Sequence, residues 1–152
     1  MYQLAIVDDN EAWCFALALQ LEQQGYAVST FTDVSTFLRR VAQFDVVLVD
    51  FSMPTPRYQR RMDGPEVIYQ VKQQVDNPPL LVLVSSFFTL DLLKDAASIC
   101  PEADAVFSKQ IETAKLLNQI QQLLSRRTPR NRQQNGSNAA ASSTQAEILI
   151  QA

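Results

Sequence analysis

Short apolar runs recur along the chain, and most of them stop at a polar residue. Gln3 to Val7 runs into Asp8-Asp9, Asp45 to Val49 into Asp50, Leu80 to Val84 into Ser85-Ser86, and Ala105 to Ser108 into Lys109. Runs this short and rich in Val, Ile and Leu read as strands buried on both faces, the mark of a parallel sheet. Tyr26 to Phe31 reads as one further strand. Between the strands lie stretches with helical patterning. Asp8-Asp9-Asn10-Glu11 offers a cap for a helix over Ala12 to Gln24, closed by Gly25. Val34 to Gln43 predicts a second helix, and Pro65 begins a third that runs to about Val75. Thr89 is a plausible cap for a fourth ending at Ile99, and Glu112 to Leu124 carries Leu116, Leu117, Ile120, Leu123 and Leu124 on one face.

Strict alternation of strand and helix implies right-handed crossovers. With polar strand ends at strands one, three, four and five, it suits a flavodoxin-like three-layer α/β/α domain, a five-stranded parallel sheet in order 2-1-3-4-5 with five helices. Open sheets of this kind place their ligands at the carboxyl edge, so three acids, a hydroxyl and an amine are expected to converge there.

Composition narrows the chemistry. The chain has 152 residues, enough for one well-buried domain and a short appendage. Its first 125 residues form the expected domain. Residues 126–152 turn to Arg, Asn, Gln, Ser and Ala and read as a disordered polar tail with no output domain, carrying Arg126, Arg127, Arg130 and Arg132. The apolar Ile148 to Ile150 near the end is either a docking peptide or noise. No run approaches the roughly 20 apolar residues that span a bilayer, and the N-terminus does not resemble a signal peptide, so a cytoplasmic protein with no membrane association is expected.

Histidine is absent, which excludes a phosphohistidine carrier, histidine acid–base catalysis and an ordinary zinc site. Cys14 and Cys100 read as buried free thiols. Residues 1–125 hold 9 Lys/Arg against 15 Asp/Glu, a net −6, and residues 126–152 hold 4 against 1. An acidic body argues against direct DNA binding by the domain.

Aspartates converging in one crevice repel each other, and a hard divalent cation resolves that conflict. Magnesium takes oxygen ligands and keeps several waters. Asp9 and Asp50 are the natural direct ligands, Asp8 acts through a water, and the Ser52 carbonyl completes the protein's share. With the cation present, Asp50, ending the central strand, is the best nucleophile toward phosphorus. Lys109 and the Ser85 hydroxyl then supply charge and a donor to the transferring oxygens.

On these residues the chain resembles the receiver domain of bacterial two-component response regulators, of the chemotaxis-regulator type. The matching features are Asp8-Asp9, Asp50 followed by Met53-Pro54, the Met62-Asp63-Gly64 turn, Ser85-Ser86 and Lys109. The resemblance implies that a histidine kinase or phosphotransfer protein passes a phosphoryl group to Asp50. It also implies that Ser85 moves toward that group and repacks a surface read by a downstream protein. The domain would slowly hydrolyse its own phosphoryl group without being a turnover enzyme.

Four departures accompany the likeness. Seven residues separate Pro54 from Met62, where the family usually has one. Val106 stands where an aromatic switch residue is usual, with Phe107 pointing to the opposite face by strand alternation. Gln110 replaces the proline that usually follows the lysine. Ser52 is small and polar, leaving room for an attacking water. A degenerate receiver used as a phosphorylation-independent interaction module therefore stays open. So does a hydrolase with an aspartyl intermediate, although such phosphatases place a second aspartate where Ser52 stands. The apolar first helix and Phe87-Phe88 leave a homodimer open.

Overall fold

The computed structural model describes residues 1–53, 63–86 and 96–127. Five parallel strands form one sheet: β1 (Gln3–Val7), β2 (Ala27–Phe31), β3 (Val46–Asp50), β4 (Leu80–Ser85) and β5 (Ala105–Ser108), in the order β2-β1-β3-β4-β5. The helices between them are α1 (Glu11–Gln23), α2 (Val34–Leu38), α3 (Gly64–Gln74), α4 (Ala96–Ile99) and α5 (Thr113–Ser125). The expected doubly wound architecture is therefore the observed one. Phe87-Phe88, the Thr89 cap, the loop from Pro54 to Met62 and residues 128–152 lie outside the described residues. Among the described residues no helix is long and apolar enough to cross a membrane.

Strand alternation divides the core in two. Leu4, Ile6, Leu48, Val82, Val84 and Phe107 face α1 and α5, where Cys14, Leu17, Leu21, Leu116, Ile120 and Leu124 are buried. Ala5, Val7, Val47, Val49, Leu81 and Leu83 face the other layer, with Phe37, Val67, Ile68 and Val71. Both cysteines are free and buried, as expected.

Two carboxylates, buried Asp45 and exposed Asp104, clamp the amino edge of the sheet. Asp45 Oδ2 accepts the N–H of Gln3 at 2.7 Å, and Asp104 Oδ2 accepts that of Leu81 at 2.7 Å. Asp104 also pairs with Lys72 at 3.5 Å. Each joins the start of one strand to the segment entering its neighbour, so pairing register is set at this edge.

The second helix is shorter than its apolar spacing predicts. It is capped by Asp33, which accepts the N–H of Thr36 at 2.9 Å, but it ends at Leu38, and a 3-10 turn over Val41–Gln43 follows. Val34, Ser35 and Thr36 are weak helix formers, and the 3-10 turn still buries Val41 and Phe44 beside Phe37. Phe31, Phe37 and Phe44 pack ring on ring, and the Arg40 guanidinium covers two of them. The first helix is covered on one side only. Cys14, Leu17 and Leu21 are buried, whereas Phe15 is 72% and Leu19 48% exposed.

Candidate functional site

The carboxyl edge of the sheet brings the expected residues together. Asp8 follows β1, with its backbone N–H bound to the carbonyl of Phe31 at 2.9 Å. Asp50 ends β3 opposite Val84, and Ser85, the next residue on β4, pairs in register with Ser108. The Lys109 N–H donates to the Ser85 carbonyl at 3.0 Å, so the β4–β5 ladder carries the lysine to the rim beside the serine.

Each acid has a different setting. Asp8 is buried, and its Oδ1 accepts the Asn10 N–H at 2.9 Å. Asn10 in turn caps α1 by accepting the Trp13 N–H at 3.1 Å. Asp8 Oδ2 has no hydrogen-bond donor beyond the Lys109 ammonium among the described residues, and pairs with it at 2.5 Å. Asp50 is 8% exposed and lies 3.4 Å from the same ammonium. Asp9 is exposed. One carboxylate oxygen from each of Asp8, Asp9 and Asp50 falls within 4.8 Å of the others.

This crowding sets the protonation. Burial, followed by the charge of Asp8, pushes the Asp50 carboxyl up from 3.8 to about 6, against the pull of Lys109. Burial opposes the charge on Lys109 too, but Asp8 and Asp50 outweigh it and hold its pKa above the ordinary value. One ammonium is therefore shared between two buried carboxylates, with a third at the rim. That donor set fits a hard divalent cation, which would supply the positive charge that one lysine cannot.

The backbone around Asp50 is held from two sides. The Phe51 N–H donates to the Val84 carbonyl, and the Gly64 N–H to the Phe51 carbonyl, both at 2.8 Å. Asp63 caps α3 by accepting the Glu66 N–H at 3.0 Å, and Pro65 sits in the first turn. A Cβ on Gly64 would collide with the Asp50 carbonyl oxygen and the Phe51 Cα. Position 64 is thus a glycine because the helix starts directly against the strand that ends in Asp50.

Of the remaining expected residues, Ser85 is buried and Ser52 exposed. Val106 packs in the α2–α3 layer and Phe107 in the α1–α5 layer, the opposite-face placement expected from alternation. Gln110 does more than occupy a proline position. Its Nε2 donates to the Ser86 carbonyl at 3.1 Å and its backbone N–H to Ser108 Oγ at 3.1 Å, tying the loops after β4 and β5 together. Sequence reasoning missed Trp13, whose ring lies 4.5 Å from Lys109 Nζ. Its place one turn into the helix that follows Asp8-Asp9 was the available clue.

Fold and site define a flavodoxin-like α/β domain with an acidic crevice at the carboxyl edge of its sheet. The model of the response regulator receiver domain matches residues 4–121, and the chain belongs to that family. It is 30% identical over 129 residues to the response regulator MprA of Mycolicibacterium vanbaalenii, covering 84% of this chain and 52% of that protein. MprA of Mycobacterium leprae matches at the same identity, with 53% of its length covered. The chain spans about half the length of these curated relatives. Among solved structures, a CheY-like receiver domain protein from Methanospirillum hungatei superposes with a TM-score of 0.68 at 23% identity, covering 83% of this chain and 95% of that one. The Thermotoga maritima response regulator TrrA, solved in complex with Mg(2+)-BeF, superposes with a TM-score of 0.65 at 21% identity, covering 82% and 100%.

Proposed function

We propose that the domain accepts a phosphoryl group on Asp50 from a histidine kinase or phosphotransfer protein and thereby changes its contacts with a downstream protein. The observation that carries this reading is the single ammonium of Lys109 set between Asp50 and Asp8, beside a triad of carboxylate oxygens. An Asp50 oxygen attacks phosphorus, the oxygen–phosphorus bond forms as the donor's nitrogen–phosphorus bond breaks, and the donor imidazole leaves with its electron pair. Lys109 neutralises charge on the transferring oxygens, and the Ser85 hydroxyl is the donor nearest along β4. Asp8, Asp9, Asp50 and the Ser52 carbonyl would hold magnesium, which when bound offsets the charge that phosphoryl and carboxylates bring together. The product is a state of the protein rather than a released compound, so slow self-hydrolysis resets it. The acidic body through residue 125 favours protein over nucleic-acid partners for this surface.

The test is the intact mass of the chain after incubation with acetyl phosphate, with and without magnesium, beside Asp50→Asn. Gain of one phosphoryl group that requires both magnesium and Asp50 is expected. No gain, together with no binding of beryllofluoride, would overturn it. A phosphorylation-independent interaction module is the second reading, favoured by Val106 at the switch position and by the Gln110 tether to Ser86. Partner affinity that is unchanged by phosphorylation would support it.

A further inference from the structure

Lys109 has a third neighbour that the acids do not account for. Its ammonium lies 4.5 Å from the centroid of the Trp13 ring, within the range where an indole face attracts a cation. Trp13 is held in the first turn of α1 by the Asn10 cap, is half-buried, and packs against the α1–α5 core. A pocket of about 80 Å³ lined by Trp13, Leu17, Gln20, Lys109, Ile111 and Leu116 adjoins the pair.

This placement answers a conflict within the site. Lys109 engages Asp8 and Asp50, two of the three carboxylates whose oxygens cluster for a cation. A divalent cation drawn to those oxygens repels the ammonium and competes for the same partners. A lysine released from its anions has a flexible four-carbon stem and strongly hydrated head, and would swing to water. The ring face is a neutral acceptor that no metal occupies, so it still holds the ammonium when the carboxylates turn to the cation.

We infer that Trp13 is a positioning residue for Lys109: its indole face keeps the ammonium in the crevice once the cation takes Asp8 and Asp50. The inference deepens the phosphoacceptor reading and rests on it. Because the sequence contains one tryptophan, the contact also has its own optical readout.

The experiment measures the magnesium affinity of the full chain by calorimetry for the parent, Trp13→Leu and Trp13→Phe, each with Lys109 and with Lys109→Met. Because the retained ammonium repels the cation, Trp13→Leu is expected to tighten magnesium binding about two- to fivefold, Trp13→Phe to stay near the parent, and Trp13→Leu to have no further effect beside Lys109→Met. In the parent, magnesium is expected to shift the indole emission, and Lys109→Met to abolish that shift. Equal affinity of Trp13→Leu and parent would overturn the role of Trp13. So would a change that persists in the Lys109→Met background, since mere loosening of α1 does not need the ammonium. Emission shifting alike with and without Lys109 counts against it as well, and that reading does not depend on any Trp13 variant folding. A parent that binds no magnesium would instead overturn the phosphoacceptor reading and this inference with it, so the two failures are told apart.

Discussion

Gly64 and Asp50 touch backbone to backbone, with no space for a side chain between them. A Cβ on Gly64 would press into the Asp50 carbonyl oxygen and, at 2.9 Å, the Phe51 Cα. Neither obstacle is the end of a flexible side chain, so the start of α3 or the end of β3 has to move. Gly64→Ala is expected to cost roughly 1–3 kcal/mol in urea unfolding and to slow phosphoryl uptake by displacing Asp50. Gly25→Ala is the control. It strains a positive φ of 95° and meets no neighbouring atom, so it should lower stability with uptake unaffected at temperatures where it stays folded.

Asp50 makes metal-free stability depend on pH in a defined direction. Its folded pKa of about 6 lies above the ordinary 3.8, so the folded state binds this proton more tightly than the unfolded chain. The corresponding stability is fully present below about pH 4 and is lost as pH rises through 6, a change on the order of 2–3 kcal/mol. In EDTA, Asp50→Asn should therefore be more stable than the parent at pH 7.5, and the gap should close by pH 4. Denaturant titrations of both proteins at the two pH values check this. A constant gap would show that the carboxyl does not carry the burden assigned to it.

Asp9 separates metal binding from folding. It is exposed and belongs to the carboxylate triad. Asp9→Asn should change metal-free stability by less than about 0.5 kcal/mol. A site weakened tenfold would lose about 1.4 kcal/mol of stabilisation at saturating magnesium. Thermal unfolding with EDTA and with magnesium should show the variant matching the parent in the first condition and trailing it in the second.

Gln110 should restrain the turn after β4. Removing its amide in Gln110→Ala loses the bond to the Ser86 carbonyl, at a global cost of only about 0.5 kcal/mol because the group is exposed. The local effect is larger in kind: amide exchange at Ser85 and Ser86 should quicken while exchange in β1 and β3 stays as in the parent. Protection at Ser85 and Ser86 that is the same in Gln110→Ala and the parent would remove Gln110 from any account of switching.

What the sequence made legible follows from where the information is local. β1, β3, β4 and β5 each show an apolar run closed by a polar residue, so Asp8, Asp50, Ser85 and Lys109 fall to one edge on pattern alone. The separation of Val106 from Phe107 needed only the two-residue period of a strand. The end of α2 was not legible, because Phe37, Val41 and Phe44 keep helical spacing even though a 3-10 turn delivers the last two. Trp13 was hidden for another reason. Its partner Lys109 follows the far edge strand of the sheet, and a bulky apolar residue in a helix reads first as core. The clamping roles of Asp45 and Asp104 were not legible, since nothing local reveals which backbone N–H each would meet.

Those two aspartates separate the task of aligning strands from the task of doing chemistry. Strand alignment is anchored at the amino edge by Asp45 on Gln3 and Asp104 on Leu81, away from the acids of the opposite rim. Loops at that rim are thus free to lengthen without shifting the sheet.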